Sequence, residues 1–184
     1  EGVKEKLQKV ADNHGFTVDE LLNVIQKESN FDTSAENPKS SATGLIQFMP
    51  KTAKGLGTSI EEISGMNAID QLSLVDKYFK QNHTKGQHPY ITIAYPAAAN
   101  MDMDDIIAKS GDSIASQNPV WQNEEGNVTK RSILGYAGYT EGEEQEEAIV
   151  QPTSTANESS VKLHKHLTDN GEYTKSYDDF IKQF

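Results

Sequence analysis

The chain reads as mainly α, a helical domain with little or no sheet, and three observations carry that prediction. Apolar residues recur at helical spacing through much of the first hundred residues, capping signals open those stripes, and strand-like alternation is nearly absent. The first stripe, Val3, Leu7, Val10 and Ala11, predicts a helix from about Val3 to His14 with Gly15 as its stop. In the second, Thr17 as N-cap with Glu20 three residues on makes a capping box, and Phe16 facing Leu21 makes a hydrophobic staple. Leu21, Val24, Ile25 and Glu28 then fall at i, i+3, i+4 and i+7, so a glutamate shares the face that must be buried. Residues 30–43, rich in Ser, Asn, Asp, Thr and Ala, read as a long irregular loop, and such loops in compact domains are usually functional. A helix from about Leu45 to Leu56, with a break near Pro50, follows, and Ser59 with Glu62 makes another capping box. Asn67 caps a helix with Ile69, Leu72, Val75, Tyr78 and Phe79 as a core stripe. A short apolar helix, Tyr90 to Tyr95, starts after Pro89 and stops at Pro96, because proline restricts the residue before it and has no N–H to donate.

Glu28 is the residue with chemistry to offer. A carboxyl on an apolar helix face is badly solvated, and poor solvation keeps it protonated toward neutral pH, where it can act as a proton donor. The plain alternative is a glutamate at a frayed helix end or one paired to a lysine. The surrounding residues favour the donor.

The run Glu28-Ser29-Asn30-Phe31, then Asn37-Pro38, then Ser41-Ala42-Thr43-Gly44-Leu45-Ile46-Gln47-Phe48-Met49-Pro50-Lys51-Thr52-Ala53 resembles the catalytic region of the soluble lytic transglycosylase family, within the lysozyme-like superfamily. The family's glutamate-serine pair falls on Glu28 and Ser29, its glycine-leucine-methionine-glutamine motif on Gly44 to Gln47, and its Ala-Tyr-Asn motif on Ala94-Tyr95. Tyr95 is followed by Pro96-Ala97-Ala98-Ala99-Asn100, a departure from the usual asparagine and glycine that is similar to phage-borne members. The resemblance covers roughly residues 15–135. It implies a lysozyme-like fold and cleavage of the bond between N-acetylmuramic acid and N-acetylglucosamine in peptidoglycan. It further implies Glu28 as the single acid and base, Ser29 orienting it, Gln47 binding the sugar beside the cleaved bond, and Tyr95 hydrogen-bonding near the glutamate. Ile46 and Phe48 join Ser29, Gln47 and Tyr95 as expected substrate contacts. Members use the substrate's own acetamido group in place of a second carboxylate, and they release a 1,6-anhydro product.

At 184 residues the chain suits one sizeable core. The expected organisation is a lysozyme-like catalytic domain over residues 1–138, an acidic Ser/Thr-containing linker or surface excursion over 139–160, and a short helical tail over 161–184. The tail's apolar residues, among them Leu163, Leu167, Tyr177 and Phe180, are too few to fold alone. Net charge is −11, and it is uneven: 13 Lys+Arg against 18 Asp+Glu up to Gly138, then 4 against 10 beyond it. That balance excludes nucleic acid as a partner, which needs a basic face to displace counterions from phosphates. It also disfavours a freely diffusing wall enzyme, since peptidoglycan carries carboxylates of its own. The charge thus suggests an enzyme delivered to the wall by attachment to something larger, and the resemblance to phage-borne members implies a phage virion or tail as that setting, with the C-terminal segment meeting virion proteins and the enzyme acting in the periplasm or at the cell wall. A bacterial version would be periplasmic or extracellular. No cysteine is present, no stretch is long and apolar enough to span a membrane, and no signal peptide is seen. A first residue Glu1 in place of methionine implies a processed product, an excised domain or part of a longer polypeptide.

No cofactor and no metal are expected. His164 and His166 stand at i, i+2 and point to different helix faces. Residues 122–133 resemble a decayed calcium loop: with Gly126 at the turn position, Trp121 falls where the first acidic ligand belongs and Ser132 where the closing glutamate belongs. Two other readings stay open, a hydrolytic lysozyme of the same fold, with Asp70 or Asp32 placing a water, and a catalytically dead wall-binding or virion module.

Overall fold

A computed structural model describes residues 2–139. The expectations for residues 161–184, for His164 and His166, and for all of the 139–160 segment beyond Tyr139 lie outside the described residues. The described part is mainly helical, as predicted, and falls into two compact units divided between Gly86 and Gln87.

The first unit holds α1 (Val3–His14), α2 (Val18–Ser29), α3 (Pro50–Gly55), α4 (Ile60–Ser64) and α5 (Ala68–Asn82). Its helix ends are those the sequence announces. Gly15 closes α1 at φ 76°, its N–H donating to the Ala11 carbonyl, and Thr17 with Glu20 forms the capping box that opens α2. Ser59 with Glu62 opens α4 in the same way, and the Asn67 side chain accepts from the Asp70 N–H to open α5. The core is the packing of α1 on α5 and α2: Leu7, Val10 and Ala11 meet Leu72, Val75 and Phe79, with Leu21, Leu22, Val24 and Ile25 from α2. Burying a leucine of this kind is worth roughly 2–3 kcal/mol. Phe16 packs its ring on Phe79 at 5.0 Å, beside His14, whose Nε2 lies 2.9 Å from Asp76 Oδ1 on α5.

Two sequence expectations need correction. The helix from Leu45 to Leu56 does not begin at Leu45: residues 44–47 are a turn, Phe48 pairs with Thr43 in an isolated bridge, and α3 starts only at Pro50. Gly44 at φ 80° and Gln47 at φ 52° are left-handed, which a helix cannot contain, while Pro50 sits at the first helical position, where its missing N–H is harmless. On α5 the buried stripe is Ala68, Gln71, Leu72, Val75 and Phe79; Ile69 and Tyr78, assigned to the core, are half-buried.

The second unit contains α6 (Pro89–Ala94), β1 (Ile106–Ala108), α7 (Ser113–Gln117), β2 (Val128–Thr129) and α8 (Lys130–Tyr136), with short 3-10 turns at Pro96–Ala98 and Pro119–Trp121. The strands form a two-stranded antiparallel sheet, Ile106 opposite Thr129 and Ala108 opposite Val128, with an irregularity between the pairs. Helices α6 and α8 pack together, Tyr90 lying 6.0 Å from Tyr136. Lys130 Nζ donates to the Ala99 and Met101 carbonyls, which pins the chain after the 3-10 turn. The segment compared with a calcium loop is a tight connection into β2: Asn123 Oδ1 accepts from the Glu125 and Asn127 N–H groups, and Ser132 takes part in the Thr129 cap of α8.

Candidate active site

Glu28 occupies the last turn of α2, half-buried, with Ile25 and Ser29 buried beside it. The chain leaves the helix through two successive left-handed residues, Asn30 at φ 50° and Phe31 at φ 67°. Asparagine tolerates that conformation at a helix C-cap. For phenylalanine it costs about 1–2 kcal/mol, offset by burial of the ring, which is 1% exposed. The reversal folds residues 30–43 back over the end of α2. Burial pushes the Glu28 carboxyl up from its ordinary 4.5 to about 7, and the negative end of the α2 dipole acts in the same sense. Among the described residues the carboxylate has no hydrogen-bond or ion-pair partner.

Glu28 opens into a cleft of about 550 Å³, lined also by Gln26, Lys27 and Ser29 from α2, by Asn30 and residues 35–39 of the loop, and by Gln47. The loop is held by its own side chains, Asp32 Oδ1 accepting from Ser34 N and Oγ, and Asn37 Oδ1 from Lys39 N. The long irregular segment thus supplies one wall of this cleft.

Ser29 and Gln47 reach this cleft by different routes. The Ser29 hydroxyl, buried, donates to the Ile25 carbonyl at 3.1 Å and the Leu45 carbonyl at 3.0 Å, which ties the end of α2 to the turn at 44–47. Gln47 Nε2 donates to the Ala35 and Gly44 carbonyls, each at 3.2 Å, leaving Oε1 as the acceptor the residue can offer a hydroxyl or amide. Ile46 and Phe48, 3% and 2% exposed, are placed beneath the turn in the core and not on the cleft wall. Tyr95 ends α6 in the second unit, half-buried, at φ −151° and ψ 75° immediately before Pro96. Of the two carboxylates considered for placing a water, Asp70 is exposed in the first turn of α5 and Asp32 is engaged by Ser34; neither lines the cleft, whereas Glu36 does.

Gln71 escaped the sequence reading, and Tyr78 was assigned there only to the core stripe. Burial and the neighbouring charge of Glu28 both push the Tyr78 phenol up, and the Tyr78 ring stands edge-on to Phe48 at 6.4 Å. Gln71, wholly buried, hydrogen-bonds the Leu45 N–H. The available signal was the same for both: a polar group set within an otherwise apolar helical stripe. Among the described residues no group of three or more His, Asp or Glu side chains is placed to hold a metal ion, and no helix is long and apolar enough to cross a membrane.

The arrangement offers one carboxyl that is part protonated at neutral pH, facing a cleft lined by the amide-bearing side chains of Gln26, Asn30, Asn37 and Gln47, groups suited to a sugar. The family model of the transglycosylase SLT domain matches residues 5–117, a span that takes in Glu28, the turn at 44–47 and Tyr95. No curated protein and no solved structure matches the chain. With more than half of its length matched, the chain belongs to the transglycosylase SLT domain family, whose activity is the cleavage of peptidoglycan.

Proposed function

We propose that the chain cleaves the N-acetylmuramic acid to N-acetylglucosamine bond with Glu28 as its single acid and base. The observation that carries this is the half-buried Glu28 carboxyl, raised to about 7 and open to the cleft it shares with Gln47. A sugar oxygen leaves poorly unless protonated. Glu28 gives its proton to the bridging oxygen as the bond to the muramic acid anomeric carbon breaks, and the acetamido carbonyl of that sugar stabilises the cationic centre. The resulting Glu28 carboxylate takes the proton from the 6-hydroxyl, whose oxygen attacks the same carbon. The carboxyl is regenerated, and the product is 1,6-anhydro-N-acetylmuramic acid. Gln47 binds the sugar beside the cleaved bond through Oε1, Ser29 holds the helix end that carries the acid, and Tyr95 carries over as a substrate-site residue on the family resemblance alone.

An intramolecular hydroxyl has an effective concentration on the order of a hundred thousand molar in favourable cases. Water competes only if a residue positions it. Glu36, which lines the cleft, is the group for that second reading, a hydrolytic lysozyme. Product mass decides between them: digestion in heavy-oxygen water is expected to release unlabelled anhydro-muropeptides, lighter by one water than hydrolysed ones. Labelled reducing-end N-acetylmuramic acid would replace this mechanism with hydrolysis. No turnover of purified walls by the wild-type chain would leave a wall-binding module.

We further propose a phage origin, with the chain carried on a virion or tail and acting at the cell wall. The Tyr95-Pro96-Ala97-Ala98 form of the third motif and the net charge of −11 support this reading. Detection of the chain in purified virions tests it.

A further inference from the structure

We propose that Gln71 is a positioning residue of the active site, holding the turn that carries Gln47 in place and, through Leu45, the wall that keeps water from Glu28. The inference rests on the assignment of Glu28 as the acid. Gln71 lies on α5 and is 0% exposed. Its Oε1 accepts from the Leu45 N–H at 2.9 Å. Its Nε2 donates to the Thr33 carbonyl at 2.7 Å and the Ile63 carbonyl at 2.9 Å, with the Met66 carbonyl a weaker neighbour at 3.4 Å. Two donors and one acceptor thus serve three separate stretches of backbone: the loop over the cleft, the turn, and the end of α4.

A side chain needed only to fill the core at this point would be apolar, because a buried amide is tolerated only when its hydrogen bonds are made. Here they are made to backbone of the loop at Thr33, of the turn at Leu45 and of the last turn of α4 at Ile63, and the first two lie in irregular segments that cannot satisfy those groups within a helix or sheet. The two peptides that flank the Leu45 Cα are each held, the one carrying its N–H by Gln71 and the one carrying its carbonyl by the Ser29 hydroxyl at 3.0 Å. One residue, Leu45, therefore couples α5 to the residue next to Glu28. The turn is fitted to this side chain: a Cβ on Gly44 would run into Gln71 Oε1. The Thr33 bond anchors the loop two residues before Ala35, whose carbonyl receives Gln47 Nε2. Removing the amide releases both the turn and the loop, so water gains access to Glu28 and the Gln47 side chain loses its fixed seat.

The test compares Gln71→Met, which keeps length and apolar volume without hydrogen bonds, Gln71→Asn, which keeps the amide one methylene short, and Leu7→Ala, a core truncation in the same unit with no bond to the turn. Carbon-13 titration of the Glu28 carboxyl and steady-state kinetics on purified peptidoglycan are read at a temperature where circular dichroism shows each variant folded. Gln71→Met is expected to lower the Glu28 midpoint by about one pH unit, as the carboxylate becomes solvated, and to lower kcat roughly tenfold or more, as the cleft groups lose their geometry. Gln71→Asn should fall between it and the wild type, and Leu7→Ala should leave both readouts within about twofold. A folded Gln71→Met with the midpoint and kcat of Leu7→Ala would overturn the proposal. So would failure of both Gln71 variants to fold where Leu7→Ala folds, since that makes Gln71 a residue of the core alone. If the wild type turns over no wall, the reaction assignment fails by itself, and the titration still decides the role of Gln71.

Discussion

Replacing Glu28 with glutamine is expected to stop catalysis and, at the same time, to stabilise the fold in a way that depends on pH. The carboxyl titrates at about 7 in the folded chain against an ordinary 4.5. Below the lower value it is protonated in both states and contributes nothing to the pH dependence. Between the two values the unfolded chain ionises while the folded one stays protonated, so wild-type stability declines as pH rises, and the loss is complete above the folded value. At about 1.4 kcal/mol for each tenfold change in an ionisation constant, the gap amounts to about 3 kcal/mol; with part of the carboxyl still in water, about 2–3 kcal/mol is the reasonable expectation. Glutamine has nearly the same shape and never ionises, so Glu28→Gln should gain that stability near pH 8 and show no such gain near pH 4. At roughly 2–4 °C per kcal/mol, the variant should melt about 5–10 °C above the wild type at the higher pH. Thermal and denaturant unfolding of both proteins at the two pH values measures this, and the titrations of all other groups cancel in the comparison. An equal effect of the substitution at both pH values would refute the claim that burial raises this carboxyl, and with it the physical basis for its role as a proton donor at neutral pH. Retained wall lysis by the variant would remove Glu28 from the mechanism.

Three further outcomes are expected. Gly44→Ala should destabilise the chain by about 2–4 kcal/mol, because it adds a left-handed strain of roughly 1–2 kcal/mol to a collision with Gln71 Oε1; denaturant unfolding measures it, and a change under about 0.5 kcal/mol would show the turn to be pliable. Wall clearance should be unaffected by exhaustive EDTA treatment, since among the described residues no acidic or imidazole group clusters at ligand spacing; a loss restored by calcium or zinc would overturn this. Deleting residues 140–184 should spare turnover of short muropeptides, because Glu28, Ser29, Gln47 and Tyr95 all precede the cut; a folded, inactive truncation would place part of the site in the deleted segment.

Local interactions explain what could be read from the chain directly. Capping boxes at Thr17 and Ser59, the glycine stop at Gly15 and the Asn67 cap are contacts between residues a few positions apart, so composition and spacing suffice to place α1, α2, α4 and the start of α5. The position of Glu28 on a buried face follows from helical periodicity in the same way, and the motif residues around it led to the family that the comparison with known proteins then bore out. Where the sequence reading failed, a distant residue was decisive. Residues 45–49 have helix-forming composition, yet Gln71, 26 positions away, and Ser29, 16 positions away, hold the N–H and the carbonyl of Leu45 in a turn that puts Gln47 at φ 52°. That turn is also why Ile46 and Phe48 point into the core while Gln47 reaches the cleft. Periodicity ranks a residue by its face, and it cannot distinguish a polar side chain that ends in water from one that ends on a backbone group of another segment. For Gln71 and Tyr78 that distinction exists only once α5 is packed against the turn and the end of α2. The ionisation of Glu28 is of the same kind: its place on the helix was legible, but its value of about 7 comes from desolvation, which depends on every segment that covers the carboxyl and therefore on the tertiary structure.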